Sequence, residues 1–186
     1  PILTQKPNDL YEAYEFARDN KLTLSNFFES HRIATKHLLP ESQRGVVRTG
    51  NMLIMEQQTQ QVQYEAALAS VVKNEFDNFW AELDELIQQK LDTKQVFYYA
   101  ALIHLVFVKI HPFNDGNGRT GRLLEKWFLS TLLGEKAWYI GSEHYYYKNL
   151  QAYYHNLARV GLFYDELDYG KSIPFLLMLP NAVNNG

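Results

Sequence analysis

Twelve consecutive residues, His111-Pro112-Phe113-Asn114-Asp115-Gly116-Asn117-Gly118-Arg119-Thr120-Gly121-Arg122, bring together an imidazole, a carboxylate, two asparagines, three glycines and two arginines. Core packing calls for none of these groups, so their concentration points to a reactive site. Glycines at 116, 118 and 121 permit positive φ and close approach of the backbone to a ligand. The run sits between apolar stretches, Ala100 to Ile110 and Leu123 to Leu133, and reads as a loop between two buried helices. A glycine-rich turn opening onto a helix N-terminus offers free N–H donors and the positive end of the helix dipole to an anion. Arg119 and Arg122, three apart, share a face of the first turn. Their guanidinium forks suit phosphate oxygens, and two of them imply more than one phosphate. Asp115 has the wrong sign for such a cradle unless a cation intervenes, and Mg²⁺ bridging the carboxylate and phosphate oxygens removes the conflict. His111 titrates near neutral pH and is the natural general base. The pattern reads as Mg²⁺-dependent transfer of a phosphorus-containing group from a nucleotide to a hydroxyl.

The same window resembles the motif of the Fic-domain family, H-P-F-x-[D/E]-G-N-G-R-x-x-R, and fills every specified position. That is far more specific than a lone G-x-G-x-x-G. The resemblance implies an all-α Fic fold: a bundle of about seven to eight helices with a small β-hairpin flap over the active site. It also implies AMPylation, the transfer of AMP from ATP to a Ser, Thr or Tyr hydroxyl of a target protein. In that reading His111 deprotonates the hydroxyl, and Asp115 holds Mg²⁺ against the α- and β-phosphates. Asn117 and the amides of Gly116 and Gly118 stabilise charge at the α-phosphate. Arg119 and Arg122 hold the β- and γ-phosphates, with Thr120 and Gly121 in the same cradle, and Phe113 anchors the loop in the core. Phosphorylating Doc-type relatives carry Ala and Lys in place of the glycines, so Gly118 favours adenylylation. Tyr145 to Leu150 resembles the family's Y-Y-x-x-L segment, which puts Tyr146 and Tyr147 beside adenine or ribose. Packing of a helix against the core accounts for either tyrosine equally well. Where the family usually has Arg near the start of this helix, the chain has Glu143 or His144.

Two other function classes stay open on the residues alone. One is a transferase of the same fold using UMP, GMP, phosphocholine or phosphate. The other is a nucleotide-binding regulatory or toxin–antitoxin module with little catalysis, against which an intact His111 and Asp115 argue. Many relatives are restrained by a helix bearing [S/T]-x-x-x-E-[G/N], whose Glu pairs with the second motif arginine, here Arg122. Ser25-x-x-x-Glu29-Ser30 and Thr131-x-x-x-Glu135-Lys136 each fail at the last position. The expectation is therefore an inhibitory segment preceding Pro1, or an antitoxin chain, contacting Arg122. A second copy of the chain is a further open partner.

These groups need a scaffold, and 186 residues with 46% hydrophobic and 15% aromatic content are enough for a single domain, 1–186, with its core over about 8–180. A formal net charge of −3 argues against direct nucleic-acid binding. No cysteine is present, which fits a cytoplasmic protein. The longest apolar run is broken by His104 and is too short for a membrane span. The chain opens on Pro1, not Met, and reads as processed or as a piece of a longer protein.

Helical spacing predicts a helix capped by Asn8 or Asp9 and ending at Asp19-Asn20, then another from Thr23 or Ser25 to Leu38. His31 and His37 are expected to be half-buried structural histidines. Val46 to Ile54 reads as a hairpin turning at Gly50-Asn51. The resemblance makes this region, about 46–55, the target-docking flap, with Thr49, Gly50, Asn51, Met52 and Leu53 facing the target backbone. Glu56 to Gln63 is expected to be an exposed loop. A helix from about Ala66 to Gln89 has an acidic solvated face. Asp92 and Gln95 form a capping box for a central helix reaching His111, in which His104 is expected to be buried and hydrogen-bonded. Leu123 to Leu133 continues after the loop and ends at Gly134. Further helices are expected from Ser142 to about Arg159 and from Ile173 to Leu179, before a polar tail from Asn181 to Gly186.

Overall fold

The computed structural model describes residues 2–55 and 59–184, with side chains from residue 7 onward. It is mostly helical, with one small antiparallel sheet. In chain order the elements are α1 (Ile2–Asp19), α2 (Leu24–Ala34), β1 (Leu53–Met55), β2 (Val62–Glu65), α3 (Val72–Gln88), α4 (Thr93–Ile110), α5 (Asn117–Leu133), α6 (Ser142–Lys148), α7 (Leu150–Arg159), α8 (Ile173–Leu176) and α9 (Met178–Asn184).

Helix α4 is the centre of the bundle. Its start is the expected capping box: Asp92 accepts from the Gln95 N–H, and the Gln95 side chain accepts from the Asp92 N–H. Ala100, Ala101, Leu105 and Phe107 on it have no exposed surface, as an all-round apolar helix requires. Helix α5 lies directly on it. A Cβ built at Gly121 would stand 3.1 Å from both Phe107 and Val108, so the absence of a side chain there lets the two helices approach. Beneath the site, Phe27, Phe76 and Phe107 surround Phe113, with ring centroids 6.1–6.3 Å from it.

Several boundaries differ from the sequence expectation, each for a local reason. Asp9 does not cap α1; it is buried, and its carboxylate takes the His37 N–H and Nδ1. Helix α2 starts at its Thr23 cap as expected but stops at Ala34, where Thr35 closes it with Oγ1 on the His31 carbonyl. Gly50-Asn51 is not the hairpin turn. The Asn51 side chain instead caps the Ala69 N–H, and the strands pair Leu53 with Glu65 and Ile54 with Tyr64. The expected exposed loop is thereby partly strand, since Val62 opens β2; its Glu56, Gln57 and Gln58 lie outside the described residues. Helix α3 begins at Val72 rather than Ala66, because Ala66 and Ala67 are drawn back to the hairpin through Met52 and Arg48. The expected helix from Ser142 is broken at Asn149, whose side chain takes the Tyr145 carbonyl. The supposed polar tail is helical to Asn184, with Ala182 buried; Asn185 and Gly186 lie outside the described residues. Among the described residues no helix is long and apolar enough to cross a membrane.

Candidate active site

Pro112 stops α4 at Ile110, and His111 closes it in left-handed backbone, φ 54° and ψ 60°. For a non-glycine residue that conformation costs roughly 1–2 kcal/mol, and it turns the imidazole back over the last helical turn. Nδ1 lies 3.1 Å from the Val108 carbonyl, an acceptor, so the ring proton sits on Nδ1 and Nε2 is left as the basic nitrogen. Burial pushes the His111 pKa down to about 4. The imidazole is therefore neutral at physiological pH and able to accept a proton.

The loop that follows is six residues long, not twelve. Helix α5 already begins at Asn117, so Gly118, Arg119, Thr120, Gly121 and Arg122 are helical. Of the three motif glycines only Gly116 has positive φ, 82°. Its role is a tight turn: a Cβ there would stand 2.8 Å from Thr35 Cγ2. The Asn117 side chain is spent within the loop, accepting from the Phe113 N–H at 2.9 Å and donating to the Phe113 carbonyl at 2.8 Å. Thr120 is buried, with Oγ1 on the Gly116 carbonyl.

His31 is the residue that sequence reasoning underrated. It has no exposed surface and stacks on Phe113 with centroids 3.7 Å apart. Its Nδ1 accepts from the Gly45 N–H at 2.8 Å, which leaves Nε2–H to donate to the Asp115 carbonyl at 2.9 Å. The loop is thus held from α2, 84 residues away in sequence. The Asp115 carboxylate itself is exposed, with Oδ1 taking the Gly116 N–H at 2.6 Å. Among the described residues no three His, Cys, Asp or Glu side chains gather into a metal site. A lone exposed carboxylate beside an anion cradle fits Mg²⁺ held largely by phosphate oxygens and water.

The first N–H groups of α5 have no helical acceptor and lie next to Arg119 and Arg122. Nη1 of Arg119 is buried and, among the described residues, has no hydrogen-bond partner. Both arginines line a cavity of about 740 Å³, together with Tyr14, Lys126, Glu143 and Tyr147. Lys126 is buried and donates to Glu143 at 2.8 Å and to the Ile140 carbonyl, while Tyr14 donates to the same carboxyl group at 2.8 Å. Glu143 thus sits in the wall of the cavity. Tyr146 lines it too, but its ring is 2% exposed and its hydroxyl donates inward to Glu125 at 2.8 Å. Tyr147 is open at 77% exposure. Behind α5, the Glu125 carboxylate also accepts from His104 Nδ1 at 2.7 Å, and the Tyr153 hydroxyl stands 3.0 Å from His104 Nε2. His104 is buried and hydrogen-bonded, as expected, and Glu125 is its partner from α5.

The hairpin is fastened to the site by Arg48, which is 2% exposed. Its guanidinium donates to the carbonyls of His111, Gly50, Ala67 and Ile110, and its own N–H to the Pro112 carbonyl. Thr49, Gly50, Asn51 and Met52 form the approach to β1, which Leu53 opens. Leu53, Met55 and Val62 are about half exposed, an apolar patch on a two-stranded sheet. Neither near match to the inhibitory motif reaches Arg122: Glu29 pairs with Arg32, and Glu135 with Arg18.

A motif loop of this geometry on an all-helical core defines a family, and residues 21–129 match the Fic/DOC family model. The chain belongs to the Fic/DOC family. It is 32% identical over 125 residues to the Protein adenylyltransferase Fic of Aedes aegypti, covering 62% of this chain and 20% of that protein. It is 60% identical over 35 residues to the namesake in Culex quinquefasciatus, 19% of this chain and 6% of that one. The chain therefore spans a fifth or less of these relatives. A Fic family protein from Desulfovibrio desulfuricans G20 shares the fold at TM-score 0.81 and 23% identity, over all of this chain and 53% of that one. BepC of Bartonella tribocorum, solved with bound AMPPNP, superposes at TM-score 0.62 and 15% identity, over 97% of this chain and 85% of its own.

Proposed function

We propose that the protein transfers AMP from ATP to a hydroxyl of a target protein. The observation that carries this reading is the pairing of a neutral imidazole, with Nε2 left basic, and a helix N-terminus whose Arg119 has a buried nitrogen with no partner among the described residues. His111 takes the proton of the incoming hydroxyl. The helix amides and the two arginines hold the triphosphate and carry the charge that develops on it. Mg²⁺, held by Asp115 together with phosphate oxygens, would neutralise charge on the leaving pyrophosphate. Asn117 acts through the loop, fixing Phe113 and hence the start of α5. The volume of the cavity beside the arginines supports a bound nucleotide, with Tyr147 in its lining as the side chain that packs on it. The exposed hairpin suits strand addition by a target backbone.

The comparison with adenylyltransferase-named relatives supports ATP as donor over UTP, GTP or a choline nucleotide. Isothermal titration with each donor in the presence of Mg²⁺ tests it. ATP is expected to bind most tightly and to lose affinity in Arg119→Ala. Equal binding of all four would count against an adenylyl donor.

A further inference from the structure

Tyr64 on β2 is 3% exposed and faces the base from the hairpin side. Its ring meets the His111 imidazole edge-on, with centroids 6.1 Å apart. Its hydroxyl donates to the Val108 carbonyl at 3.1 Å and stands 3.4 Å from His111 Nδ1. The same carbonyl lies 3.1 Å from Nδ1. Three polar atoms thus close a triangle that one tautomer satisfies best. With a bare Nδ1, two lone pairs would face each other across that distance.

The far side of the phenol is braced as well. Lys109 Nζ lies 4.2 Å from the ring centroid and donates to the Gly161 carbonyl at 2.9 Å. The next residue, Glu65, donates its N–H to the Leu162 carbonyl at 2.7 Å. Strand β2 is therefore anchored where it touches the base, while Leu53, Met55 and Val62 remain open on the same hairpin.

We propose that Tyr64 is a positioning residue for the transfer reaction, tying the hairpin that receives the target to the imidazole that deprotonates it. The inference rests on the reading of His111 as base and of the hairpin as docking strand. In the step concerned, His111 Nε2 takes the hydroxyl proton as that oxygen bonds the α-phosphorus. The bond to the bridging oxygen breaks, and its electron pair leaves with pyrophosphate. Tyr64 touches none of these atoms. It holds the ring so that the docked hydroxyl and Nε2 are set by one unit of structure.

The test is Tyr64→Phe, which keeps the ring and removes the hydroxyl, measured two ways. Nitrogen-15 spectra of the His111 ring at neutral pH read the tautomer without turnover. Both proteins are expected to show the proton on Nδ1, since the Val108 carbonyl remains, while the ring signals of the variant are expected to broaden as the imidazole loses the hydroxyl beside it. In steady-state kinetics the variant is expected to lose about tenfold in kcat with KM for ATP unchanged. A variant with the wild-type ring spectrum and wild-type kcat would overturn the proposal. A wild type that shows the single tautomer but transfers nothing from any nucleotide would sink the functional reading instead.

Discussion

His111 and His31 are both neutral in the folded protein for the same reason: burial pushes each pKa down to about 4, from an ordinary 6.5. Two consequences follow from the sign. The unfolded chain binds more protons than the folded one between those values. The stability these residues contribute is therefore fully present above about pH 6.5 and is lost as pH falls through about 4. Urea midpoints should decline over that window, and less steeply in His31→Phe. For catalysis, the base stays deprotonated well below neutrality. The transfer rate is expected to show no base ionisation near 6.5; a limb centred there would mean that His111 is solvated. The motif residues were legible in the sequence because their signal is local, twelve positions in one window. His31 and Glu125 were not, because what gives them meaning is a partner brought in by folding: Asp115 stands 84 residues from His31, and His104 stands 21 residues from Glu125.

Helix α5 separates the roles of glycines that look equivalent in sequence. Gly118 is helical, and a Cβ there meets only the end of the Arg122 side chain, at 3.4 Å. Gly121 faces Phe107 and Val108 at 3.1 Å. Gly118→Ala is expected to be neutral or stabilising by up to roughly 1 kcal/mol, while weakening ATP binding through Arg122. Gly121→Ala is expected to destabilise by about 1–3 kcal/mol through overpacking. Thermal denaturation of the two variants would show the opposite signs. Element boundaries were legible wherever a side chain caps its own helix, as at Thr23 and at Asp92 with Gln95. They failed where a polar side chain had a competing distant use. Gly50-Asn51 has the composition of a hairpin turn, but Asn51 serves Ala69 and Arg48 holds the Gly50 carbonyl, so the turn falls later in the chain.

At the scale of the whole molecule, the cavity is built on a buried polar core. Glu125, His104 and Tyr146 lie between α4, α5 and α6 with almost no exposure. His104→Leu would leave the buried Glu125 carboxylate one hydrogen bond short, with Tyr146 alone still donating to it. It is expected to cost about 1–3 kcal/mol of folding stability, read as a lower denaturation midpoint. The overall architecture was readable from helical periodicity and the motif together, since an apolar helix before the loop and another after it must pack as a pair. The account as a whole stands on one chemical event: attack at the α-phosphorus, with His111 as base. The most direct measurement is incubation of the protein with a cell lysate, Mg²⁺ and ATP carrying a radiolabel on either the α- or the γ-phosphate, for wild type and His111→Ala. Adding the protein is expected to increase labelling from α-labelled ATP and not from γ-labelled ATP, and the increase is expected to fall on the order of 10²–10⁴-fold in the variant. γ-Phosphate labelling that appears only with the added protein and is lost in His111→Ala, or undiminished α-labelling by His111→Ala, would contradict the account.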